Sequence, residues 1–410
     1  MLQMSEVVPE SDAQALHHFL SESDWDSQAV MDQVAAGADE LLGGTLDSCL
    51  VLDETSFPKK GTKSVGVARQ WCGTRGKTDN CQVGVFASLG HGSQAALIDA
   101  RLYLPREWTD SAKRCKTAGV PEAARKFRTK PELALEMVRH ARFQGLGFRW
   151  VAADAGYGNN PAFLRALADA GETFVIDLHR DQRIYLEDPR PCVPATGRRR
   201  RPVAQVEPLR VDAWAAQQPA SAWESTWIRH TTKGELRVEI LHLQAWVWDG
   251  KEDSARCWRL LATRVPGEPE ILKFSLSNAD PETPAPRLAQ IQRQRYWIER
   301  AFQEAKGEAG MADYQARSWK AWHHHMALVM MALLFLLQQR KSHQASHPLL
   351  NCRDLKILLA HILPSREVSL EEVVGLMEER HRLRQAATDS AYRRQRARDG
   401  TGEGLGNLTK

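Results

Sequence analysis

The segment YWIERAFQEAK, residues 296–306, is the centre of the chain's organisation, because an apolar and a polar pattern run along one predicted helix. Apolar residues recur at intervals of three, seven and four, which predicts an amphipathic helix facing a core: Leu288, Ile291, Ile298, Phe302 and Ala309. A neighbouring face combines carboxylates, guanidinium groups and an aromatic ring: Arg293, Tyr296, Arg300, Glu304 and Glu308. This face predicts contacts with a phosphate and a metal ion, and the alternative is a solvated face with an Arg300–Glu304 pair.

Composition indicates a globular protein of one large or two ordinary domains, with 410 residues, 43% hydrophobic and 26% charged. The seven cysteines are scattered without a Cys-x-x-Cys pair, which argues against a zinc knuckle or a disulfide framework and favours a reducing cytoplasm. The chain opens without a signal-peptide pattern, and the longest apolar run, residues 326–337, is too short to cross a bilayer. We therefore expect a cytoplasmic protein with no membrane partner.

Charge is distributed unevenly along the chain. Residues 1–50 contain ten acidic side chains and neither lysine nor arginine, so the net charge of +4 leaves +14 on the remainder. A basic remainder favours a polyanion such as DNA as partner, although a modest positive excess is also common in proteins that bind no nucleic acid.

Two apolar segments are each interrupted by a carboxylate at the predicted end of a strand. Residues 49–58 give a strand with Asp53, followed by Lys59 and Lys60. Residues 148–158 give a second strand with Asp154, followed by a glycine-bearing turn, a helix and a further strand. Ligands of such βαβ-like units sit at the carboxyl ends of the strands, which favours a site at Asp154. A helix or turn cap is the alternative, and for Asp53 taken alone it is the better interpretation.

Other motifs are less specific. An arginine run at 198–201, which includes Arg199 and Arg200, lies in a predicted β-rich insertion and either grips phosphates or forms a solvated tip. Adjacent helical positions point about 100° apart, so His323, His324 and His325 are not expected to share a metal ion.

Taken together, Asp53, Asp154 and Glu304 predict a metal site at one end of a sheet. Three oxygen donors suit Mg²⁺, or alternatively Mn²⁺. Two such ions about 4 Å apart activate a hydroxyl and stabilise a leaving oxygen, which is phosphodiester chemistry. Arg293 and Arg300 would hold neighbouring phosphates.

Four segments, residues 51–70, 79–86, 150–158 and 295–306, resemble the IS701-type insertion-sequence transposases, which belong to the DDE transposases related to the IS4 group. The resemblance spans roughly residues 5–395. It implies an α/β fold of RNase H-like type, a mixed sheet flanked by helices, with an inserted β-rich subdomain and helical terminal parts. The expected divisions are 1–46 acidic and helical, 47–180 first core part, 181–270 insertion, 271–345 second core part and 346–410 basic helical tail.

The resemblance also implies a metal-dependent endonuclease that cuts at element ends, joins them to target DNA, and works in the bacterial nucleoid as a homodimer on DNA. Its catalytic and metal-binding residues are expected at Asp53, Asp154 and Glu304. Predicted DNA contacts are Arg293, Tyr296, Trp297, Arg300, Lys59, Lys60, Arg199 and Arg200.

The last acid of the IS4 group lies in a pattern of Tyr, two residues, Arg, three residues, Glu, six residues, Lys. Arg300 and Glu304 fit it, but the aromatic position falls on Trp297 and the lysine position on Met311. Lys306 lies about 200° around the helix from Glu304, and Glu308 is a competing carboxylate. Relatives carry additional basic sequence ahead of this chain's start, so a silent or truncated DNA-binding regulator stays open, as does a structure-selective nuclease.

Overall fold

A computed structural model describes residues 8–193, 201–231, 233–315 and 317–399, without the side chains at 269, 271, 398 and 399. The chain forms two compact units, residues 20–357 and the combination of 1–19 with 358–410. In the second unit, the described helix α13 (Leu370–Asp399) is charged along its length, with Arg382 paired to Glu379. Everything below concerns residues 20–357 unless stated.

The helices are short in the first part of the chain and longer towards its end. Their bounds are α1 (Ala13–Ser21), α2 (Ser27–Leu42), α3 (Arg106–Thr109), α4 (Ala112–Thr117), α5 (Lys130–Phe143), α6 (Ala155–Gly158), α7 (Pro161–Asp169), α8 (Val211–Ala216), α9 (Ala285–Gln294), α10 (Tyr296–Gly307), α11 (Trp319–Ser342), α12 (Cys352–Ile362) and α13.

Most of the strands follow one another in series without an intervening α-helix. Their bounds are β1 (Cys49–Pro58), β2 (Ala68–Cys72), β3 (Lys77–His91), β4 (Gln94–Leu102), β5 (Trp150–Ala153), β6 (Phe174–Leu178), β7 (Arg183–Ile184), β8 (Leu209–Arg210), β9 (Glu224–Thr231), β10 (Gly234–Val247), β11 (Arg256–Val265) and β12 (Glu268–Ser277).

One mixed sheet of ten strands organises the fold, with the order β2-β3-β1-β5-β6-β12-β11-β10-β9 and β4 paired to β3. The apolar run of β1 is buried because the strand lies inside the sheet, between antiparallel β3 and parallel β5. Strands β5 and β6 are also parallel, and β7 and β8 form a separate ribbon. This mixed α/β architecture with flanking helices is the predicted one.

The predicted β-rich insertion supplies strands to the same sheet. Strands β9, β10, β11 and β12 form an antiparallel series that continues from β6. The five predicted divisions of the chain stay predictions, but segment 181–270 is joined to the core through backbone pairing as well as through its two connections.

Helix α5 links the antiparallel part of the sheet to β5, and its start explains why the chain turns there. Thr129 and Glu132 form a capping box, and Pro131 at the first turn has no backbone N–H to leave unpaired. Helix α7 starts in the same way at Asn160 and Pro161. These caps fix the β5–α7–β6 unit, whose strands carry the carboxylates.

Helix α11 is the apolar core helix. It is the helix in the described residues that is long and apolar enough to span a bilayer, but 67% of its apolar window is buried inside the fold. It packs against α2 and β4, with Trp322 and Met326 fully buried. This burial is typical of a core helix in a soluble protein.

The predicted helix around residues 296–306 is interrupted once. It forms α9 and α10, which are separated at Arg295, and Gly310 then turns the chain with a φ of 70°. The predicted apolar stripe is buried as expected, including Leu288, Ile291, Ile298 and Phe302. Each such side chain contributes about 1.5–3 kcal/mol through burial, so the stripe fixes the rotation of α10.

Candidate active site

Three aspartates lie side by side where the parallel pairing of β1, β5 and β6 ends, although β1 itself continues past Asp53 to Pro58. The register of β1 and β5 pairs Leu52 with Ala153, so Asp53 and Asp154 come next on the two strands. The register of β5 and β6 pairs Ala153 with Ile176, and the next residue of β6 is Asp177. Neighbouring strands lie about 4.8 Å apart, so the three carboxylates share one edge of the sheet.

Asp53 and Asp154 line one cavity of about 220 Å³. Asp154 is also the N-cap of α6, where its Oδ1 accepts a hydrogen bond of 2.9 Å from the Gly156 N–H. The cavity wall comes from β1, β2, β3 and the turn after β2: Glu54, Thr55, Ser56, Trp71, Gly73, Thr74 and Val83. The structure therefore brings together the two aspartates that the sequence placed at one end of the sheet.

The electrostatics of this cavity favour a cation. Burial, followed by the charge of Asp154, raises the pKa of Asp53 to about 7, although the Arg295 charge opposes the change. Burial also raises the pKa of Asp177. A carboxylate whose charge is destabilised by a neighbouring carboxylate gains from a bound divalent ion, and Asp53 and Asp154 offer the hard oxygen donors that Mg²⁺ prefers.

The third ligand is not in place beside them. Within the described residues, no group of three or more His, Cys, Asp and Glu side chains is close enough to hold a metal ion. The two aspartates offer oxygen donors that fit a divalent ion, and the described residues place no complete three-ligand group around them.

Arg295 connects the acids of the site. Its Nη1 lies 3.4 Å from Asp53 Oδ2 and 2.9 Å from Glu299 Oε1, and its Nε lies 3.3 Å from Asp177 Oδ2. Burial acts to lower the pKa of Arg295, but the charges of Asp177, Asp53 and Glu299 outweigh it and raise the pKa. One guanidinium therefore pairs with three carboxylates. Glu299 is the member of this group that α10 supplies.

The structure does not bring Glu304 to the aspartates. Its Oε2 accepts from the Cys352 thiol at 3.2 Å and pairs with Arg340 Nη1 at 3.5 Å, in a small cavity whose other walls come from β4 and α11. The physical reason is the buried stripe of α10, because Glu299 and Glu304 are about 140° apart around the helix and lie on opposite flanks of it. Glu308 is on the flank of Glu304 and pairs with Lys356.

Sequence analysis missed Glu299, Arg295 and Lys306, although a signal for them was present. The spacing of Arg, three residues, Glu, six residues, Lys is met in full by Arg295, Glu299 and Lys306, with Gln292 in the aromatic position. The Lys306 ammonium donates to Thr55 Oγ1 at 2.7 Å and Thr74 Oγ1 at 3.4 Å, at the wall of the cavity. Burial lowers the pKa of Lys306.

Asp177 was also missed, and it belongs to a buried polar chain. The Ser275 hydroxyl donates to Asp177 Oδ1 at 2.6 Å, and Gln292 Nε2 donates to Ser275 Oγ at 2.6 Å. The Thr263 hydroxyl donates to Gln292 Oε1 at 2.6 Å. Because β11, β12 and α9 supply these groups, the strands of the insertion hold the cluster from one side. No sequence signal pointed to it, since the strand around Asp177 is short and otherwise apolar.

The predicted DNA contacts on the helices differ in accessibility. Arg293 is largely buried, and its Nη2 lies 3.4 Å from Thr263 Oγ1, so it faces the insertion. Tyr296 and Trp297 meet edge to face, with the Arg229 guanidinium 4.5 and 4.6 Å from their ring centres. Arg300 is exposed and donates to Gln303 at 2.8 Å.

The predicted DNA contacts in loops also differ in accessibility. The Lys59 ammonium donates to the Tyr314 carbonyl at 2.6 Å and lies 4.7 Å from the centre of the Tyr314 ring, so it holds two segments of the fold together. Burial lowers the pKa of Lys59. Lys60 is exposed. Arg199 and Arg200 lie outside the described residues.

Two comparisons with known proteins bear on the family of this chain. Residues 1–235 match the family model described as DDE superfamily endonuclease, a range that contains Asp53, Asp154 and Asp177. The chain is also 24% identical, over 317 residues, to the probable transposase for insertion sequence element IS701 from Microchaete diplosiphon. That match covers 76% of this chain and 71% of the relative. Because the family model spans more than half of the chain, and because the mixed sheet is consistent with the RNase H-like fold, the protein belongs to the DDE superfamily of endonucleases.

Proposed function

We propose that this protein is a transposase that cuts DNA at the ends of its own element and joins the freed 3′ hydroxyl to target DNA. The observation that carries the proposal is the alignment of Asp53 and Asp154 on neighbouring parallel strands at one cavity. The named relative supports it, because that protein is described as a probable transposase. DNA is the proposed partner, in a homodimer that pairs two ends, within the bacterial cytoplasm and nucleoid.

We assign the metal-binding role to Asp53, Asp154 and Glu299. A bound Mg²⁺, or a pair of such ions, supplies Lewis acidity and activates the attacking hydroxyl. Glu299 is half-exposed and pairs with Arg295, which also pairs with Asp53, and we propose that a change of the Glu299 rotamer completes the group. In that arrangement Arg295 stays paired to Asp177, which keeps a buried cation next to the site.

The basic residues on the same flank of α10 complete the proposal. Arg295 and Lys306 are about 20° apart around the helix, and both approach the cavity that Asp53 lines. Cations at this position hold the phosphates on either side of the bond to be broken and reduce the repulsion between DNA and the carboxylates. Lys306 is proposed to exchange its contact with Thr74 for a phosphate oxygen.

The proposal is tested by cleavage of a duplex carrying the inverted repeats that flank the gene. Wild-type protein with Mg²⁺ is expected to cut at the repeat end and to join the cut end to a second duplex. Asp154→Asn is expected to lower the single-turnover rate by about 100-fold or more, because loss of a direct ligand exceeds the usual effect of outer-shell changes. Asparagine caps helices as well as aspartate, so the variant keeps the start of α6.

Undiminished cutting by Asp154→Asn would refute the assigned role. Binding of the repeats without cutting by wild-type protein would favour the regulator, and cutting without joining would favour a nuclease.

The third acid is tested by a matched pair of substitutions on one helix. Glu299→Gln is expected to lower cleavage by about 100-fold or more, whereas Glu304→Gln keeps most of it, because Glu304 pairs with Arg340 away from the aspartates. Glu304→Gln is expected to lower the free energy of unfolding instead, by about 1–3 kcal/mol, since Arg340 and Cys352 lose a charged partner. The opposite order of cleavage rates would return the role to Glu304.

A further inference from the structure

A second and larger cavity lies at the β2 edge of the sheet and is strongly basic. Its volume is about 870 Å³, and it is bounded by the loop before β2, by β2, by α3 and α4, and by residues 317–318. Five cationic side chains line it, and Glu107 is the acid among its described lining residues. The cations are Lys63, Arg69, Lys113, Arg114 and Arg317.

Four of these cations are available to a ligand. Among the described residues, no ion pair or side-chain hydrogen bond engages Lys63, Arg69, Lys113 or Arg317, and all four are exposed. Like charges collected in one concavity repel each other, and a fold keeps them there at a cost in free energy. A bound polyanion removes this cost.

The wall behind these cations is rigid. Arg114 lies 4.0 Å from the ring centre of buried Trp108 and donates to the carbonyl of Thr62 at 3.3 Å. The Trp108 indole N–H donates to the Val67 carbonyl at 2.8 Å. These contacts tie α3 and α4 to the loop that carries Lys63, so the cavity is preformed by the core.

Strand β2 connects this cavity to the candidate active site. Arg69 and Trp71 are two residues apart on β2, so their side chains point to the same face of the strand, about 6.6 Å from each other along it. Arg69 lines the basic cavity, and Trp71 lines the cavity of Asp53 and Asp154. Asp53 pairs with Phe86 of β3 and Arg69 pairs with Asn80, so the two cavities are about six residues, or about 20 Å, apart along β3. A DNA duplex bound at the carboxylates is long enough to reach the basic cavity.

We propose that the basic cavity binds the phosphodiester backbone of the DNA next to the bond that is cut, an inference that rests on the proposed function. Several phosphates in a row match several separate cations from a loop, a strand and a helix. A single phosphate contacts one or two of them and leaves the others unbalanced. The ligand class is thus the sugar–phosphate backbone of DNA, bound without regard to its sequence.

The test measures affinity for a 30-base-pair duplex of random sequence in EDTA, as a function of salt concentration. The cavity variant is Lys63→Ala/Arg69→Ala/Lys113→Ala. Each lost phosphate contact lowers the salt slope by about 0.9, so the slope falls by roughly 2–3 and the affinity by roughly 10- to 100-fold. The charge-conserving variant Lys63→Arg/Arg69→Lys/Lys113→Arg is expected to keep the slope, which separates charge from packing.

The matched control also removes three positive charges, but from residues outside the basic cavity. Arg139, Arg149 and Lys251 are exposed residues that do not line the cavity, and Arg149 precedes β5 at the strand end opposite Asp154. Their triple alanine variant is expected to change affinity less than threefold. Equal losses in the two triple variants would overturn the proposal, because the effect would then follow net charge alone.

Two further outcomes are informative. Displacement of the duplex by dAMP or inorganic phosphate at an equal phosphate concentration would identify a small-anion site and overturn the DNA assignment. Binding in EDTA is independent of catalysis, so failure of wild-type protein to cut with Mg²⁺ would refute the proposed function. A selective loss in the cavity variant would still support a DNA-backbone site in that case.

Discussion

Arg295 is the residue on which the local charge balance depends. Its guanidinium is 19% exposed and lies within 3.4 Å of carboxylate oxygens from Asp53, Asp177 and Glu299. In a partly buried site such a cation does not add much net stability compared with an apolar core, but its removal leaves charges without compensation. Arg295 therefore compensates the charge of the buried acids and sets the position of Glu299.

Replacement of Arg295 by alanine is expected to lower the free energy of unfolding by about 3 kcal/mol at neutral pH in EDTA. Asp53 and Asp177 lose their shared cation, and both are already carboxylates whose pKa burial raises. Urea denaturation measures the difference. Arg300→Ala is the control on the same helix, because Arg300 is exposed and bonds Gln303, and its expected effect is below about 0.5 kcal/mol. Similar values for the two variants would show that Arg295 does not balance the acids.

At the same scale, the adjacency of Asp53 and Asp154 was predictable, whereas the sequence did not show which glutamate of α10 connects to them through Arg295. An apolar run that ends in a carboxylate is visible in the sequence, and the strands pair as such runs predict. An arginine followed four residues later by a glutamate occurs twice on α10, at Arg295–Glu299 and Arg300–Glu304. Lys306 favours the first pair, but the side of the helix that faces the sheet depends on packing.

Among the elements, α10 has three sides that make different contacts. Its apolar stripe packs into the core through Ile298, Phe302 and Ala305. One flank carries Arg295, Glu299 and Lys306 towards β1, and the other places Glu304 against Arg340 of α11. A helix packed in this way has a fixed rotation. Glu304 therefore cannot take the position of Glu299 by rotation of the helix.

The break between α9 and α10 was not predictable from the apolar pattern, which continues through it. Neither proline nor glycine occurs at 294–296, and the helices separate at Arg295, whose side chain is drawn to three carboxylates. Strand β2 begins at Ala68, and the loop before it, in which Gly66 has a φ of 74°, forms a wall of the basic cavity.

The three adjacent histidines of α11 contact backbone carbonyls, one within the helix and the others in neighbouring segments. His324 lies with Nδ1 2.9 Å from the Leu20 carbonyl and Nε2 2.9 Å from the Trp25 carbonyl, and its ring stacks on Trp25 at 3.7 Å. His323 and His325 contact the carbonyls of Trp319 and Gly310. The expectation that the three rings do not share an ion follows from their helical spacing, and the described contacts are consistent with it.

His324→Leu is expected to lower the free energy of unfolding by about 2–4 kcal/mol, because two carbonyls between α1 and α2 lose their partner. His343→Leu serves as the control, since His343 is exposed at the end of the same helix, and its effect is expected to stay below about 0.5 kcal/mol. Thermal or urea unfolding checks both values. An effect of His324→Leu below about 1 kcal/mol would mean that the segment is held by its other contacts.

For the molecule as a whole, the sheet places two cavities of opposite character next to each other. The carboxylates lie on the inner strands, where their parallel pairing ends, and the cations that have no partner among the described residues lie at the β2 edge. Attraction of the DNA backbone by the basic edge offsets the repulsion that the carboxylates impose on a phosphate. The excess positive charge outside residues 1–50 pointed to a polyanion, but only the folded sheet shows where part of that charge is collected.

The most direct test of this account locates the bound metal on the folded chain. Fe²⁺ with ascorbate and peroxide cuts a polypeptide close to the ion, and excess Mg²⁺ competes for the same site. The account predicts Mg²⁺-suppressible cuts near Asp53, Asp154 and the 295–299 segment, identified by mass spectrometry, and their loss in the Asp53→Asn/Asp154→Asn variant. Suppressible cuts near Glu304, Arg340 and Cys352, or none near the two aspartates, would contradict it.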